Sequence, residues 1–392
     1  MTSTRRLARA RWPILFILLV LLLALALQSA SAAFPGLNGK IVYTHGGNPQ
    51  SSREIYTITP DGTGSDPTNL TSNSLNDNES AWSPDGTRIA FMRQIGNHEI
   101  FIMNADGSDP VNLTNYGQKD HGPAWSPAGD KLAYYAWLGA NQDVYTINSD
   151  GTGKIRLTTH AGNDREPAWS PDGTKIAFGS YRDGNAEVYV MNAADGLGKT
   201  NLTNNAAWDA YADWSPDGSK IAFTSNRDGN NEIYVMNANG SNQVNLSNSP
   251  SSSEVFPAWS PDGSLIAFQT DRNGNNDIYV MNADGTGQIQ VTFDSIHESN
   301  PDWQPLVAGA VIDDIEDLLD QGDLNNGQAD SMIVKLDGAS AKIEDGNYRA
   351  AANKLNAFIN QAEAFVHSGK LDAQTAQALI DHVQLMIDQL RG

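Results

Sequence analysis

Between residues 40 and 303 the apolar positions fall in short consecutive runs, not at the three-to-four-residue spacing of a helix. Ile176-Ala177-Phe178 and Val188-Tyr189-Val190-Met191 show the pattern: brief, apolar at successive positions and bounded by Gly, Pro, Asn and Asp. Such runs predict strands covered on both faces. The same pair returns along the chain, with second strands at Ile41-Val42-Tyr43, Ile89-Ala90-Phe91, Leu132-Ala133-Tyr134, Ile221-Ala222-Phe223 and Ile266-Ala267-Phe268. Third strands follow, as at Ile100-Phe101-Ile102-Met103, Ile233-Tyr234-Val235-Met236 and Ile278-Tyr279-Val280-Met281.

A tryptophan marks the beat. Trp82, Trp125, Trp169, Trp214, Trp259 and Trp303 are separated by 43, 44, 45, 45 and 44 residues, a period that predicts the blades of a β-propeller. Each Trp ends a first strand, and the first five lead into a turn of the Ser170-Pro171-Asp172-Gly173 type. Pro presets a negative φ, Asp bonds forward to the backbone and Gly accepts the positive φ, so the stretch reads as a hairpin turn, not a catalytic loop. Fourth strands are more polar, as in Asn69-Leu70-Thr71, Asn112-Leu113-Thr114, Asn201-Leu202-Thr203 and Asn245-Leu246-Ser247, which suits an outer edge. These match the N-glycosylation sequon, but their recurrence at one blade position assigns them to the repeat.

The chain enters the repeats at a second strand near Lys40 and leaves them on a lone first strand at Pro301-Asp302-Trp303. The phase therefore predicts six blades over residues 37–305, the first composite and closed by both chain ends. After Pro305 the period changes. Helical stripes fall at Val311, Ile312, Ile315, Leu318 and Leu319, and at Met332, Ile333, Leu336 and Ile343. Two more follow: Leu355, Phe358, Ile359, Ala362, Phe365 and Val366 ahead of Gly369, then Ala376, Leu379, Ile380, Val383, Met386, Ile387 and Leu390 behind Asp372 as N-cap. Residues 306–392 are thus expected to form a small all-α bundle of four helices, and the chain as a whole is multidomain.

The start of the chain has another character. Arg5, Arg6, Arg9 and Arg11 precede an apolar run from Trp12 to Leu27 and small residues at Ala30, Ser31, Ala32 and Ala33. That order predicts a signal peptide over residues 1–33, with an uncleaved membrane anchor as the alternative. Removing those four arginines takes the formal charge from −21 to −25. So acidic a surface disfavours nucleic acid and anionic lipid and favours cations and basic partners. With no Cys, disulfides, zinc-thiolate sites and thiol catalysis are excluded.

The order Asn-x-x-x-Ala-Trp-Ser-Pro-Asp-Gly-x-x-Ile-Ala-Phe, then Arg-Asp-Gly-Asn, Ile-Tyr-Val-Met-Asn and Asn-Leu-Thr, resembles the repeat of TolB-like propellers. The resemblance implies a propeller fold. Here the first blade follows directly on the apolar run, without the N-terminal α/β domain of true TolB, so the Tol–Pal role is not carried over. The stretch Lys354-Leu355-Asn356-Ala357-Phe358-Ile359-Asn360-Gln361, with Ser368-Gly369-Lys370-Leu371 and Ala378-Leu379-Ile380, resembles the FIMAH domain of exported bacterial proteins. That resemblance implies an accessory interaction module and transfers no catalytic residue.

One column is set apart from the packing pattern. Five residues before each Trp stands a carboxylate: Asp77, Asp120, Asp164, Asp209, Glu254 and Glu298. Six-fold repetition would place these in a ring near a channel mouth, where they could hold a metal, Ca²⁺ by the hardness of the oxygens, or a basic segment of a partner. The alternative is that each caps its own strand or pairs with an arginine such as Arg182, Arg227 or Arg272. His121 and His297 flank the column and are further candidate ligands. The Arg182-Asp183-Gly184-Asn185 turn and its equivalents read as hairpins and lack the order of a calcium loop. Neither a G-x-S-x-G elbow nor an H-E-x-x-H motif is present. The expectation is an exported, non-enzymatic binding protein, secreted, periplasmic or at the cell surface, presenting a face or channel to a protein, glycan or cation. The alternative is a secreted propeller hydrolase or lyase acting on polysaccharide or peptide with a metal at the channel mouth.

Overall fold

A computed structural model of the chain describes residues 37–46, 52–64, 66–306 and, with gaps, 311–390. The signal-peptide reading of residues 1–33 and the Pro35-Gly36 linker lie outside the described residues. No helix among those described is long and apolar enough to cross a membrane.

Six antiparallel sheets of four strands each make up the repeats. The fourth blade is typical: an inner strand Asp164–Trp169, then Lys175–Ser180, Glu187–Asn192 and a two-residue outer strand Thr200–Asn201. Between the first two, Gly173 N–H donates to Ser170 O at 2.8 Å, the Ser170 hydroxyl to Asp172 at 2.6 Å and Thr174 N–H to Asp172 at 3.0 Å. Gly173 takes φ +68°, the left-handed conformation that requires Gly in such a turn.

The first blade is composite. The last strand of the repeats, Glu298–Leu306, pairs with Leu37–His45, which continues into Glu54–Ile58 and Thr68–Asn69. Trp303 lies opposite Ile41 and Glu298 opposite His45, so both ends of the repeats share one ladder. The hydrophobic core is divided into inter-blade layers. One of them joins Ala133, Val144 and Leu157 of the third blade to Trp169, Ile176 and Phe178 of the fourth. The tryptophan that sets the period is therefore a spacer between blades, buried at every repeat.

Every inner strand carries a bulge at one place. The register slips between Asn78 and Ala81, His121 and Ala124, Arg165 and Ala168, Ala210 and Asp213, and Val255 and Ala258. The residue two beyond the column carboxylate takes a left-handed φ in all six: Glu79 (56°), Gly122 (56°), Glu166 (54°), Tyr211 (54°), Phe256 (55°) and Asn300 (53°). A bulge at a sheet edge re-aims side chains, and here it does so at the propeller axis.

Beyond the blades, three helices have described bounds: α1 (Asn326–Glu344), α2 (Tyr348–His367) and α3 (Ala373–Gln389). Asp372 caps α3 by accepting Thr375 N–H at 2.9 Å. Gly369, at φ +66°, ends α2 while Lys370 N–H donates back to Phe365 O at 2.8 Å. Val311, Ile315 and Leu318, from the first expected stripe, are buried in the same core as Leu336, Phe358 and Val383, together with Leu306 from the last strand.

Candidate functional site

The column carboxylates lie at the outset of the inner strands and are buried inside the blades; none lines the axial cavity. Four are closed by an arginine of their own blade. Arg93 grips Asp77 through Nε and Nη2 at 2.7 and 2.8 Å, and Arg182 reaches both oxygens of Asp164 at 3.1 Å. Arg227 holds Asp209 at 3.2 Å through each oxygen, and Arg272 holds Glu254 at 3.2 Å. Each guanidinium also lies over an aromatic ring, Arg182 at 4.5 Å from Tyr189 and Arg227 at 4.5 Å from Tyr234. The clamp thus fastens a carboxylate, a guanidinium and a ring in one blade.

The other two column members have different company. Asp120 is raised to about 6 by burial, with Lys154 and His121 opposing the rise. Glu298 is raised to about 9 by burial and by the neighbouring charge of Asp294.

A second acidic column escaped the sequence reading. Glu54, Glu99, Asp143, Glu187, Glu232 and Asp277 stand at the head of the third strands and are buried. Five of the six accept the hydroxyl of the fourth-strand Thr or Ser, as Thr71 to Glu54 at 2.8 Å and Thr158 to Asp143 at 3.3 Å. That hydroxyl in turn accepts a third-strand N–H, for example Ile55 to Thr71 at 2.9 Å. The Thr or Ser of the sequon-like motif is therefore a buried clamp. An acidic residue 13 to 15 positions ahead of the last residue of each fourth strand was the available signal.

The axial cavity, about 660 Å³, is lined by the bulged segments. Its wall changes around the ring. On one side Glu79 accepts Gly122 N–H at 2.8 Å and contacts His121 Nδ1 at 3.2 Å, and His121 Nε2 meets His98 Nδ1 at 2.8 Å. Tyr135 stacks on His121 at 5.3 Å. Burial pushes the Glu79 carboxyl up, but His121 and the Gly122 N–H outweigh it and hold it below the usual range. Next comes Glu166, 3.6 Å from Arg165, whose guanidinium lies 4.6 Å from the Tyr181 ring. Burial nonetheless raises Glu166 to about 7. Then follow Tyr211 and Phe256, their rings 4.1 Å apart, with Trp208 edge-on to Tyr211 at 5.4 Å.

One step deeper, where the other blades have Ala, stand Asp213 and Asp302. Asp213 accepts Trp259 N–H and Asp302 accepts Trp82 N–H, each at 2.7 Å and each from the next blade. Burial raises both to about 7, and for Asp213 the charge of Asp302 adds to it. Neither has a basic partner within ion-pair distance among the described residues. His297, a sequence candidate, lines the cavity and accepts Asn276 N–H at 3.1 Å.

Six blades with a carboxylate-bearing axial channel and a helical C-terminal region define a propeller repeat protein. Residues 120–212 and 199–312 match the TolB beta propeller domain, and residues 308–388 match the FIMAH domain. The chain is accordingly a TolB-like six-bladed propeller followed by a FIMAH-like helical region. Among solved structures, it is similar to TolB from Acinetobacter baumannii at 23% identity and TM-score 0.62, over 72% of this chain and 70% of that one. It also resembles a putative TolB from Agrobacterium tumefaciens (20% identity, TM-score 0.55, 67% of this chain and 91% of that one). A chain of Kuenenia stuttgartiensis hydrazine synthase shares the architecture at 15% identity and TM-score 0.60, over 70% of this chain and 47% of that one. At these identities the likeness establishes the fold. No curated protein sequence matches the chain.

Proposed function

We propose that this is an exported, non-enzymatic binding protein of the cell envelope or exterior whose axial channel takes a positively charged segment of a partner protein. The observation that carries the reading is the pair Asp213 and Asp302. Two half-buried carboxylates, both raised by burial and Asp213 further by the charge of Asp302, that meet only backbone N–H donors favour a cation entering between them. Glu79 and Glu166 extend the negative wall, and Tyr211 and Phe256 offer faces over which an arginine or lysine side chain can lie. The overall charge of −21 draws basic partners toward the channel. The helical region would then serve as the docking module.

The test is fluorescence anisotropy with labelled decalysine and a labelled decaglutamate control. Replacing Asp213 and Asp302 together with Asn is expected to weaken decalysine binding by about tenfold, roughly 1.4 kcal/mol. The surface pair Asp61→Asn and Asp150→Asn should change it less than twofold by comparison. Equal losses in the two variants would refute a channel site.

The chain of Glu79, His121 and His98 supports a second reading, a hydrolase or lyase in which His121, oriented by Glu79, acts as general base. A polysaccharide and peptide turnover screen with the wild type and His121→Gln checks it; turnover lost in the variant would favour it.

A further inference from the structure

In the register of the blades, Arg182 stands two residues beyond Ser180, the residue opposite Asp164. In the composite blade the residue opposite Glu298 is His45, and the sequence has Gly47 two positions on. Glu298 therefore has no arginine at the place where the fourth, fifth and sixth blades supply one.

What surrounds Glu298 instead is a set of metal-type donors. His45, Asp294 and Glu298 each offer one ligand atom, and the three lie within 4.8 Å of one another. No other group of three such residues meets that condition among the described residues. His45 Nε2 is 3.5 Å from Asp294 Oδ2. Glu298, 1% exposed, receives the Thr292 hydroxyl at 3.2 Å on Oε2, while its Oε1 is buried with no hydrogen-bond partner. A carboxylate oxygen shut away from both water and donors is costly unless something positive meets it. The imidazole is held in place by Tyr56, stacked at 4.4 Å.

We propose that His45, Asp294 and Glu298 bind a divalent transition-metal ion, Zn²⁺ fitting the donor set best, at the junction of the first and last strands of the propeller. Ligands about 2.1 Å from a tetrahedral Zn²⁺ stand about 3.4 Å apart, close to the spacing of the His45 and Asp294 atoms. The imidazole nitrogen selects against Ca²⁺ and Mg²⁺, which take oxygen ligands. Asp294, with 55% of its side chain exposed, marks the side open to solvent, where the ion enters and a water completes its shell. The ion takes the part that arginine plays in four other blades. Because His45 ends the strand nearest the N-terminus and Glu298 begins the one that closes the ring, it also ties the two ends together.

The site does not rest on the channel reading, and its test is separate. The full chain, stripped with EDTA and exchanged into chelator-free buffer, is titrated with Zn²⁺ by calorimetry and melted with and without it. The expected result is one saturable site, a higher Tm with Zn²⁺ and no such rise with Ca²⁺. His45→Ala and Glu298→Gln should each lose at least about tenfold in affinity and abolish the rise. Asp294→Asn, at an exposed position, covers the case in which those variants fail to fold and should also weaken binding. His160→Ala should match the wild type. Absence of saturable binding, or wild-type binding by Asp294→Asn together with His45→Ala, would overturn the proposal.

Discussion

The carboxylate of Asp302 accepts the backbone N–H of Trp82 at 2.7 Å, joining the last strand of the repeats to the inner strand of the second blade. The bond fixes the neighbour of the composite blade, yet its acceptor is an acid raised to about 7 by burial. A group whose folded pKa is raised contributes stability that is complete below its unfolded pKa and is lost as pH rises through the folded one. Between about pH 4 and 7 the wild type should therefore lose stability at this residue. A shift of this size, discounted because the side chain borders a solvent channel, corresponds to about 2 kcal/mol. Asp302→Asn keeps an acceptor for Trp82 and removes the charge. Urea unfolding should find it more stable than wild type at pH 8, with the advantage shrinking at pH 5 and gone near pH 4.

The arginine clamps predict an asymmetric mutant cycle. Arg227→Ala leaves Asp209, fully buried, without its counter-charge and should cost about 3 kcal/mol. Adding Asp209→Asn to that variant should recover much of the loss. Equilibrium denaturation of the two single variants and the double measures the coupling.

At the outer strand, Thr203 accepts Val188 N–H at 3.0 Å and donates to Glu187. Thr203→Val keeps the shape but strands both partners, at an expected cost of about 1–3 kcal/mol. Thr203→Ser, the residue that the fifth blade uses at position 247, should stay near wild type in the same melt.

Gly122 provides a test of what restricts the channel ring. Five other blades carry a side chain at this left-handed position, so the backbone alone does not demand Gly. A Cβ at Gly122 would lie 2.9 Å from the Tyr135 ring. Gly122→Ala should destabilise by about 1–3 kcal/mol, and combination with Tyr135→Val should relieve part of it. Thermal melts of the single and double variants decide the point.

How much of this could be read from the chain differs by layer. The blades were legible because Trp169, the Ser170-Pro171-Asp172-Gly173 turn and Ile176-Ala177-Phe178 are fixed by steric demands that recur in every unit. The composite blade followed from phase alone. The acidic column was visible together with three of its partners, Arg182, Arg227 and Arg272, which recur 18 residues beyond their carboxylates; Arg93 was not, because Asp77 takes it from directly across the ladder. The channel ring was hidden for a deeper reason. Glu79, Gly122, Glu166, Tyr211, Phe256 and Asn300 share a φ and a bulge, not a chemical type, so no residue pattern announces them. His45 lay outside any motif, brought to Glu298 only by ring closure.

The bulge itself has a consequence for how such a channel changes. Since one peptide conformation presents acid, amide, aromatic ring or bare backbone with equal ease, the lining can be rewritten one blade at a time while the inter-blade tryptophans stay as they are. The propeller behaves as a frame with six interchangeable slots, and its selectivity is a separate inheritance from its shape.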